Sequence, residues 1–409
     1  MTPFPLPLDQ LLGSGGAYLV YLAIGFAFGA VLEMAGFAVS TRLAAQFYFK
    51  DMTVLKVMFT GIITAMALIF LATGLGLLDY NLVYVNPTYL WPGILGGLIM
   101  GVGFILGGFC PGTSLVSAAT LKIDGIIFAL GAFFGIFLFG ETVGWYEAFW
   151  NSSYMGRFTL MDLFQTDTGI IVLGVMVMAL LAFAGAEWAE RKIGKQTARQ
   201  PRWRYGAAGG GLALAAVVLL IGQPTNADRW NMIAAEKQPL LDTRQVYVHP
   251  GEVLSYMNDR KIITMLIDVR DEADYNLFHL RDARHMPLAQ LDTLVEEFHA
   301  LPENAVVFVM SNDEAQATEA WRYLVAESVV NVYIMDGGIN NWLNTFGEPD
   351  FKEEAALTTT TGDQIAYRFD IAYGERHPAA APHADRFTLE YEPHVVLSIK
   401  RGPASGGCG

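Results

Sequence analysis

Two thiols are the softest nucleophiles in the chain, and their settings point to different chemistry. Cys110 lies in GGFCPGTSLVSAAT, residues 107–120, inside apolar sequence. Gly107 and Gly108 loosen a preceding helix. Pro111 lacks an N–H but suits the first position of a new helix, and Thr113 and Ser114 add hydroxyls in its first turn. With Gly112 between them, this order puts Cys110 at the cap of a short helix, where free N–H groups and the positive end of the macrodipole attract anions. Residues 90–106 before it and 125–139 after it are nearly free of charge, so the break lies at membrane depth. Non-helical backbone is tolerated there only when it is buried in protein or lines a cavity. Gly108, Cys110, Pro111, Gly112, Thr113 and Ser114 are therefore candidate walls of an anion pathway. The alternative is a kinked helix with a packing cysteine, since free cysteine is often buried. Cys408 sits instead in GPASGGCG, where small residues leave the thiol little steric cover and the backbone much freedom, as in a terminal arm.

The elements that must position Cys110 are membrane spans. Hydrophobic residues make up 53% and charged residues 16% of the chain, too apolar for a soluble protein and too charged for a wholly membranous one, which implies two parts. Spans are expected at 17–39, 53–78, 90–106, 125–139, 168–188 and 205–222. Residues 4–14 mix proline, leucine and one acid, and form an interfacial lead-in. No basic n-region precedes the first span, so that span is expected to act as the insertion signal. Glu33 is an acid within the first span. It is a functional candidate by default, although near an interface it would only cap or snorkel.

An internal repeat organises these spans. GFAVSTRL (36–43) aligns with GFCPGTSL (108–115) at a shift of 72, and the same shift pairs Gly25 with Gly97, Gly29 with Gly101 and Lys50 with Lys122. Paired broken segments in two halves mark a transport site. Ala38 takes the place of Cys110, so the first break has the geometry without the thiol. Glu33 and Arg42, on either side of that break, complete the candidate pathway residues. The aromatic stretch ETVGWYEAFWNSSY suits a non-cytoplasmic belt, and the basic loop ERKIGKQTARQPRWRYG belongs in the cytoplasm. Six spans then put Arg42, Lys50 and Lys56 in the cytoplasm and everything after Gln223 outside, in the periplasm of a bacterium.

A polar connection, 223–243, leads into a soluble α/β pattern. Apolar strands are expected at 263–270, 305–311 and 329–335, with a helix at 315–326. This alternation indicates a parallel sheet with working loops at its carboxyl edge. Beyond residue 351, QIAYRFDIAY and RFTLEYEPHVVLSIK alternate apolar and polar residues and predict two strands. Most acids behind the net charge of −14 lie in this soluble part, which excludes nucleic acid as a partner. Two cysteines exclude a disulfide framework and a Cys-rich zinc site. His377, His383 and His394 lack metal-ligand spacing, so neither metal nor cofactor is expected.

The GGFCPGTS segment and the glycine-spaced helix before it, GILGGLIMGVGFILGG, resemble the YeeE/YedE sulfur-transport family, whose members include thiosulfate importers. The likeness covers residues 17–190. In the soluble part, LIDVRDEADYNLFHLRDARHMPL and MDGGINNW resemble the rhodanese family over residues 244–346. Active members of that family begin the loop after the second strand with a nucleophilic cysteine and wrap an anion with backbone N–H groups and an arginine. Here that loop reads MSNDEAQATEA. Met310 or Ser311 stands where the cysteine would be, and Asp313 and Glu314 replace the glycine and basic positions. Since persulfide chemistry needs a thiol, the resemblance implies a domain inactive as a sulfurtransferase, with Asp268, Arg270 and His279 in structural roles. The closing GGCG is similar to the Gly-Gly-Cys-Gly-Gly terminus of the thiosulfate-carrier protein of bacterial sulfur oxidation, where the cysteine carries sulfur on a swinging arm.

The expected architecture is a polytopic α-helical membrane domain with an internal repeat and broken helices (1–222), a linker (223–243), a rhodanese-like α/β domain (244–350) and a short β-rich extension ending in the Cys408 arm (351–409). The resemblances imply uptake of thiosulfate or a related sulfur anion across a bacterial inner membrane. The lipid bilayer, and a second copy of the chain or a sulfur-carrier protein, are the implied partners. The rival reading is a membrane-anchored sulfur carrier that works through Cys408 with a soluble partner.

Overall fold

In the computed structural model, residues 4–6, 8–194, 203–302, 304–357, 362–387 and 389–397 are described. Two compact units divide near residue 223, and each is described by itself.

Among the described residues, six helical segments are long and apolar enough to cross a membrane, so the chain is an integral membrane protein. The first unit runs α1 Leu8–Met34, α2 Ser40–Ala45, α3 Thr53–Gly74, α4 Leu90–Gly107, α5 Pro111–Ala119, α6 Ile123–Thr142, the short α7 Glu147–Trp150 and α8 Leu160–Phe164, α9 Thr168–Lys192 and α10 Trp203–Ile221. Gly13 leaves helical geometry within α1 and separates the lead-in from the span. The first span stops at Met34, five residues before the limit expected at 39, because Gly36 takes φ +83° and turns the chain out of the helix.

Backbone pairing fixes which helix ends lie together. Phe4 N–H donates to Leu77 O and Asp79 N–H to Phe4 O, both at 3.0 Å, so α1 begins where α3 finishes. At the opposite end, Lys56 pairs with Glu190 at 2.6 Å and Arg204 with Glu187 at 2.5 Å, joining the starts of α3 and α10 to the end of α9. Cations therefore collect at one end of the unit. Aromatic residues collect at the other, where Tyr89 contacts Tyr154 and Phe139 contacts Trp150. Helices α3, α9 and α10 enclose one buried cluster that includes Ala67, Val172, Met176, Ala179 and Ala215. At Gly169 an added Cβ would fall 2.7 Å from Leu219 Cα, a close approach that needs a glycine.

The second unit holds a five-stranded parallel sheet, β1 Tyr247–Val248, β2 Ile263–Asp268, β3 Arg284–His285, β4 Ala305–Met310 and β5 Val332–Met335, in the order β1-β5-β4-β2-β3. Its helices are α11 Asn226–Asp242, α12 Pro250–Met257, α13 Glu272–Leu277, α14 Val295–Ala300, α15 Ala315–Ala326, α16 Gly338–Phe346 and α17 Pro349–Ala355. All six residues of β4 are buried, as expected of a central parallel strand covered on both faces. Val306, Phe308 and Met310 meet Trp342 and Leu343 on one face, while Val307 and Val309 meet Trp321 and Leu324 on the other.

Two expectations are corrected in this unit. The polar connection at 223–243 contains a helix, α11, capped by Thr225 and Asp228. Its polar face hid it from an apolar reading, but Trp230 packs edge-on against Trp321, and Asn226 and Arg229 hold Glu327. The extension after 351 is not β-rich: among the described residues no strand follows Met335, and only isolated bridges occur. Its alternating side chains act as separate plugs, with Tyr367, Phe369, Phe387, Leu389 and Val395 set against the core. Side chains take its backbone groups where a strand partner would have done so. The Glu252 carboxylate accepts from His394 N–H and Val395 N–H at 3.0 Å each, and the Tyr333 hydroxyl accepts from Val396 N–H at 2.9 Å.

Candidate functional site

The second break is built as its residue order predicts. Gly108 ends α4 with φ +71°, and Cys110 caps α5 with extended backbone and Pro111 in the first position. Cys110 N–H donates to Thr113 Oγ1 at 3.0 Å, and Thr113 N–H is directed at Cys110 Sγ at 3.4 Å. An N–H aimed at sulfur is placed to meet negative charge there. Ser114 N–H is taken by Cys110 O and Ser114 Oγ donates to Pro111 O, whereas Gly112 N–H takes no partner among the described residues. Cys110 is free and half-buried. The break is not central in depth: Gly107 abuts the ring of Phe128, which stands in the second turn of α6, roughly 8 Å along that helix from its cationic end at 1.5 Å per residue.

The first break has the same form. Gly36 carries φ +83°, Val39 is extended and α2 follows, so the repeat is structural as well as sequential. The two breaks also touch. Ser117 Oγ, fully buried on α5, donates to Ala38 O at 3.1 Å, and a Cβ on Gly108 would fall 2.9 Å from Ser40 O. Phe37 and Phe109, equivalent in the repeat, share one buried cluster with Leu43 and Val54. Arg42 folds back over the first break, since a Cβ on Gly36 would sit 2.5 Å from its Nη1. Glu33 is exposed in the last turn of α1. Among the described residues neither Glu33 nor Arg42 makes an ion pair, and no hydrogen bond joins either to residues 108–114. Sequence reasoning missed Ser117. The available signal was its position three residues after Ser114, which puts both hydroxyls on one buried face.

In the soluble unit, Met310 and Ser311 are both fully buried, and Ser311 Oγ accepts from Ala317 N–H at 3.2 Å. Glu314 pairs with Arg244 and accepts from Gly337 N–H at 2.7 Å; the hydrogen bond to Glu314 raises the Arg244 guanidinium further above its usual value. Asp313 Oδ1 accepts from Ala315 N–H at 2.8 Å. Asp268 and Arg270 form a buried bidentate pair at 2.9 and 2.6 Å. Arg270 also donates to Asn312 Oδ1 at 3.0 Å and to Phe278 O at 2.7 Å. The His279 ring stacks on Tyr275 at 3.8 Å, and burial pushes the Tyr275 phenol up. These three residues tie loop to strand end. Gly338, at φ +58°, lies so close to the loop that a Cβ would be 2.1 Å from Asp313 O. Cys408 lies outside the described residues, as does the end of the second segment expected to be a strand. Among the described residues no group of three or more His, Cys, Asp or Glu side chains is placed to hold a metal.

Comparison with known proteins matches residues 34–237 to the family described as Sulphur transport and residues 249–345 to the Rhodanese-like domain. A curated relative, the thiosulfate sulfurtransferase GlpE of Pseudomonas fluorescens (strain Pf0-1), is 30% identical over 82 residues, which are 20% of this chain and 72% of that protein. No solved structure matches the chain.

Proposed function

We propose, from the premise that the chain belongs to the sulphur transport family and carries a rhodanese-like domain, that it takes up thiosulfate or a related sulfur anion through the two breaks that meet beside Cys110. The observation that carries this reading is the contact between the breaks: Ala38 of the first break accepts a hydrogen bond from Ser117 on the helix that the second break starts, and Gly108 of the second packs against Ser40 O, with a thiol in one break and a guanidinium over the other. An anion at this junction would meet the Gly112 N–H and the Cys110 thiol, and Arg42 would balance its charge. Transient N–H and S–H hydrogen bonds hold it less tightly than a built oxyanion pocket would, as passage requires. Thiosulfate is favoured as substrate because the relative of the soluble domain is named for it. Labelled thiosulfate accumulating in vesicles that contain the purified chain tests the reading. A chain that merely anchored a sulfur-carrying thiol would accumulate none.

The cationic end is assigned to the cytoplasm of a bacterial inner membrane, which sends the soluble unit to the periplasm. A reporter fused after Gly222 should read periplasmic and one fused near Gln196 cytoplasmic; the reverse pattern inverts the assignment.

The rhodanese-like domain is proposed to be inactive as a sulfurtransferase. Its loop offers a buried thioether and a buried hydroxyl where a thiolate must stand. The purified chain should transfer no sulfur from thiosulfate to cyanide, and Ser311→Cys alone should not restore transfer, because a side chain buried at 311 is shielded from substrate. Turnover by the unaltered chain would defeat this assignment.

A further inference from the structure

Two of the seven histidines stand before proline, and the structure gives both the same role. His249 precedes Pro250 and caps α12, with Nδ1 accepting from Gly251 N–H at 3.0 Å. His377 precedes Pro378 and caps the short turn Pro378–Ala380, with Nδ1 accepting from Ala379 N–H at 3.2 Å. A backbone N–H can only donate, so in each case Nδ1 carries a lone pair and the ring is neutral. Four other imidazoles are arranged the opposite way. His279 and His394 direct Nδ1, and His285 and His299 direct Nε2, at carbonyl oxygens 2.6–2.8 Å away, so the bonded nitrogen carries the proton and a second proton leaves that bond intact.

Both caps lie on the seam between the extension and the sheet. The His249 ring stacks on Tyr391 of the extension at 5.4 Å, and an added Cβ on Gly251 would fall 2.9 Å from both Leu389 and Tyr391. The His377 ring is surrounded by Phe278 of the sheet unit, Phe351 of α17, and Phe369 and Tyr373 of the extension, at 4.8–5.7 Å. The turn that it caps is bonded into the core, since Trp342 Nε1 donates to Ala379 O at 2.7 Å and Arg281 N–H to Ala380 O at 2.9 Å. Protonating either ring replaces an acceptor with an N–H that points at another N–H, and at His249 it adds a cation at the positive end of a helix. Burial pushes the His377 imidazole below its usual value, against the pull of Glu348 at the cap of α17; Glu375 and Arg376, beside it in the chain, are exposed. Around His249, Glu252 gives both carboxylate oxygens to the N–H groups of His394 and Val395, Asp336 pairs with Arg244, and Glu390 and Glu392, on either side of Tyr391, are exposed.

We propose that His249 and His377 form a pH-sensitive latch: while both rings are neutral they hold the C-terminal extension against the sheet unit, and when they take protons the extension undocks. Docking of the segment that precedes Cys408 then follows the acidity of the compartment. The direction comes from proton binding. Once undocked, His377 regains the ordinary value of about 6.5, whereas docked it lies below this. Docking is therefore complete above about pH 6.5, weakens as pH falls through that value, and stops weakening once the docked ring is protonated too. Between pH 7.5 and 5.5, one ring that takes its proton only when free contributes up to about tenfold, and two contribute more. The latch depends neither on the membrane pathway nor on sulfur chemistry, so it fails separately from them.

Two carboxylates also hold the extension and must be told apart from the histidines: Glu252, through His394 and Val395, and Asp363, which accepts from Asp313 N–H and Gln316 N–H at 2.9 Å each. Hydrogen exchange with mass spectrometry on the full chain, expressed as protection relative to the intrinsic rate at each pH, follows docking at residues 379–380 and 394–396. In the parent, protection there should fall about tenfold or more from pH 7.5 to 5.5 while residues 306–309 of β4 keep theirs. In the double variant His249→Asn, His377→Asn, where an amide oxygen offers an acceptor that does not titrate, the fall should shrink to about twofold or less. No fall in the parent overturns the proposal. So does an equal fall in the double variant, which would assign the response to the carboxylates or to His394, and so does a parallel fall at 306–309, which would be unfolding. Should the double variant be undocked already at pH 7.5, the parent's midpoint decides: a midpoint between about pH 5.5 and 7 supports the imidazoles, and one outside that range overturns them.

Discussion

Replacing Cys110 with alanine is expected to reduce thiosulfate uptake to below about a tenth of the parent rate, with insertion into the membrane unchanged. The thiol sits at an N-cap, so the substitution has two consequences that must be separated. Loss of the cap removes the acceptor of Thr113 N–H and costs about 1 kcal/mol of local stability. Loss of sulfur removes the soft group that, in the proposed pathway, would face the anion. Cys110→Ser distinguishes them, because serine is among the preferred caps and keeps the hydrogen bond while losing the sulfur. Uptake by the serine variant should fall between parent and alanine variant while its thermal stability matches the parent. Full uptake by Cys110→Ser would reduce the cysteine to a cap, and full uptake by Cys110→Ala would remove it from the pathway.

Gly108→Ala is expected to abolish uptake through the backbone alone. Gly108 has φ +71°, where a Cβ is strained, and that Cβ would meet the carbonyl of Ser40, which belongs to the other break and cannot swing aside like a side-chain tip. Strain and clash together should cost on the order of 2 kcal/mol, enough to part the two breaks locally without unfolding the bundle. Gly101→Ala is the matched control. It lies on the same helix with nothing within 4 Å of an added Cβ, and should leave uptake and stability unchanged. Equal uptake by both variants would mean that contact between the breaks is not part of the route.

Much of the membrane unit is legible because its signals are local. A run of apolar residues is a span wherever it folds, and a Gly-Gly-x-Cys-Pro order ends one helix and starts another by its own φ preferences. The repeat was legible too, since Gly36 and Gly108 both carry positive φ. In the soluble unit, the alternation of strand and helix matches the parallel sheet, and the expected helix at 315–326 has the observed limits. The failures have a common cause. Residues 226–242 are polar on most faces, so α11 becomes recognisable only through the single face that packs on Trp321 and Glu327. In the extension, alternation of apolar and polar residues says that every second side chain is buried, but not what buries it. Helix faces and single carboxylates do so here, and no ladder is needed.

By itself the sequence determined the number of spans, the place of the cysteine break, the duplication of that break and the absence of cysteine from the loop after β4. Each is a property of neighbouring residues. Tertiary structure alone decided that the two breaks touch through Ser117 and Ala38, that Arg42 lies over Gly36, and that Asp363 occupies the donors of Asp313 and Gln316. The first and last of these join groups some 50 to 80 residues apart. Nothing in an aspartate's own neighbourhood selects which distant N–H groups it will meet; that choice is made when the packed elements bring a helix start and a turn together and leave one carboxylate in reach.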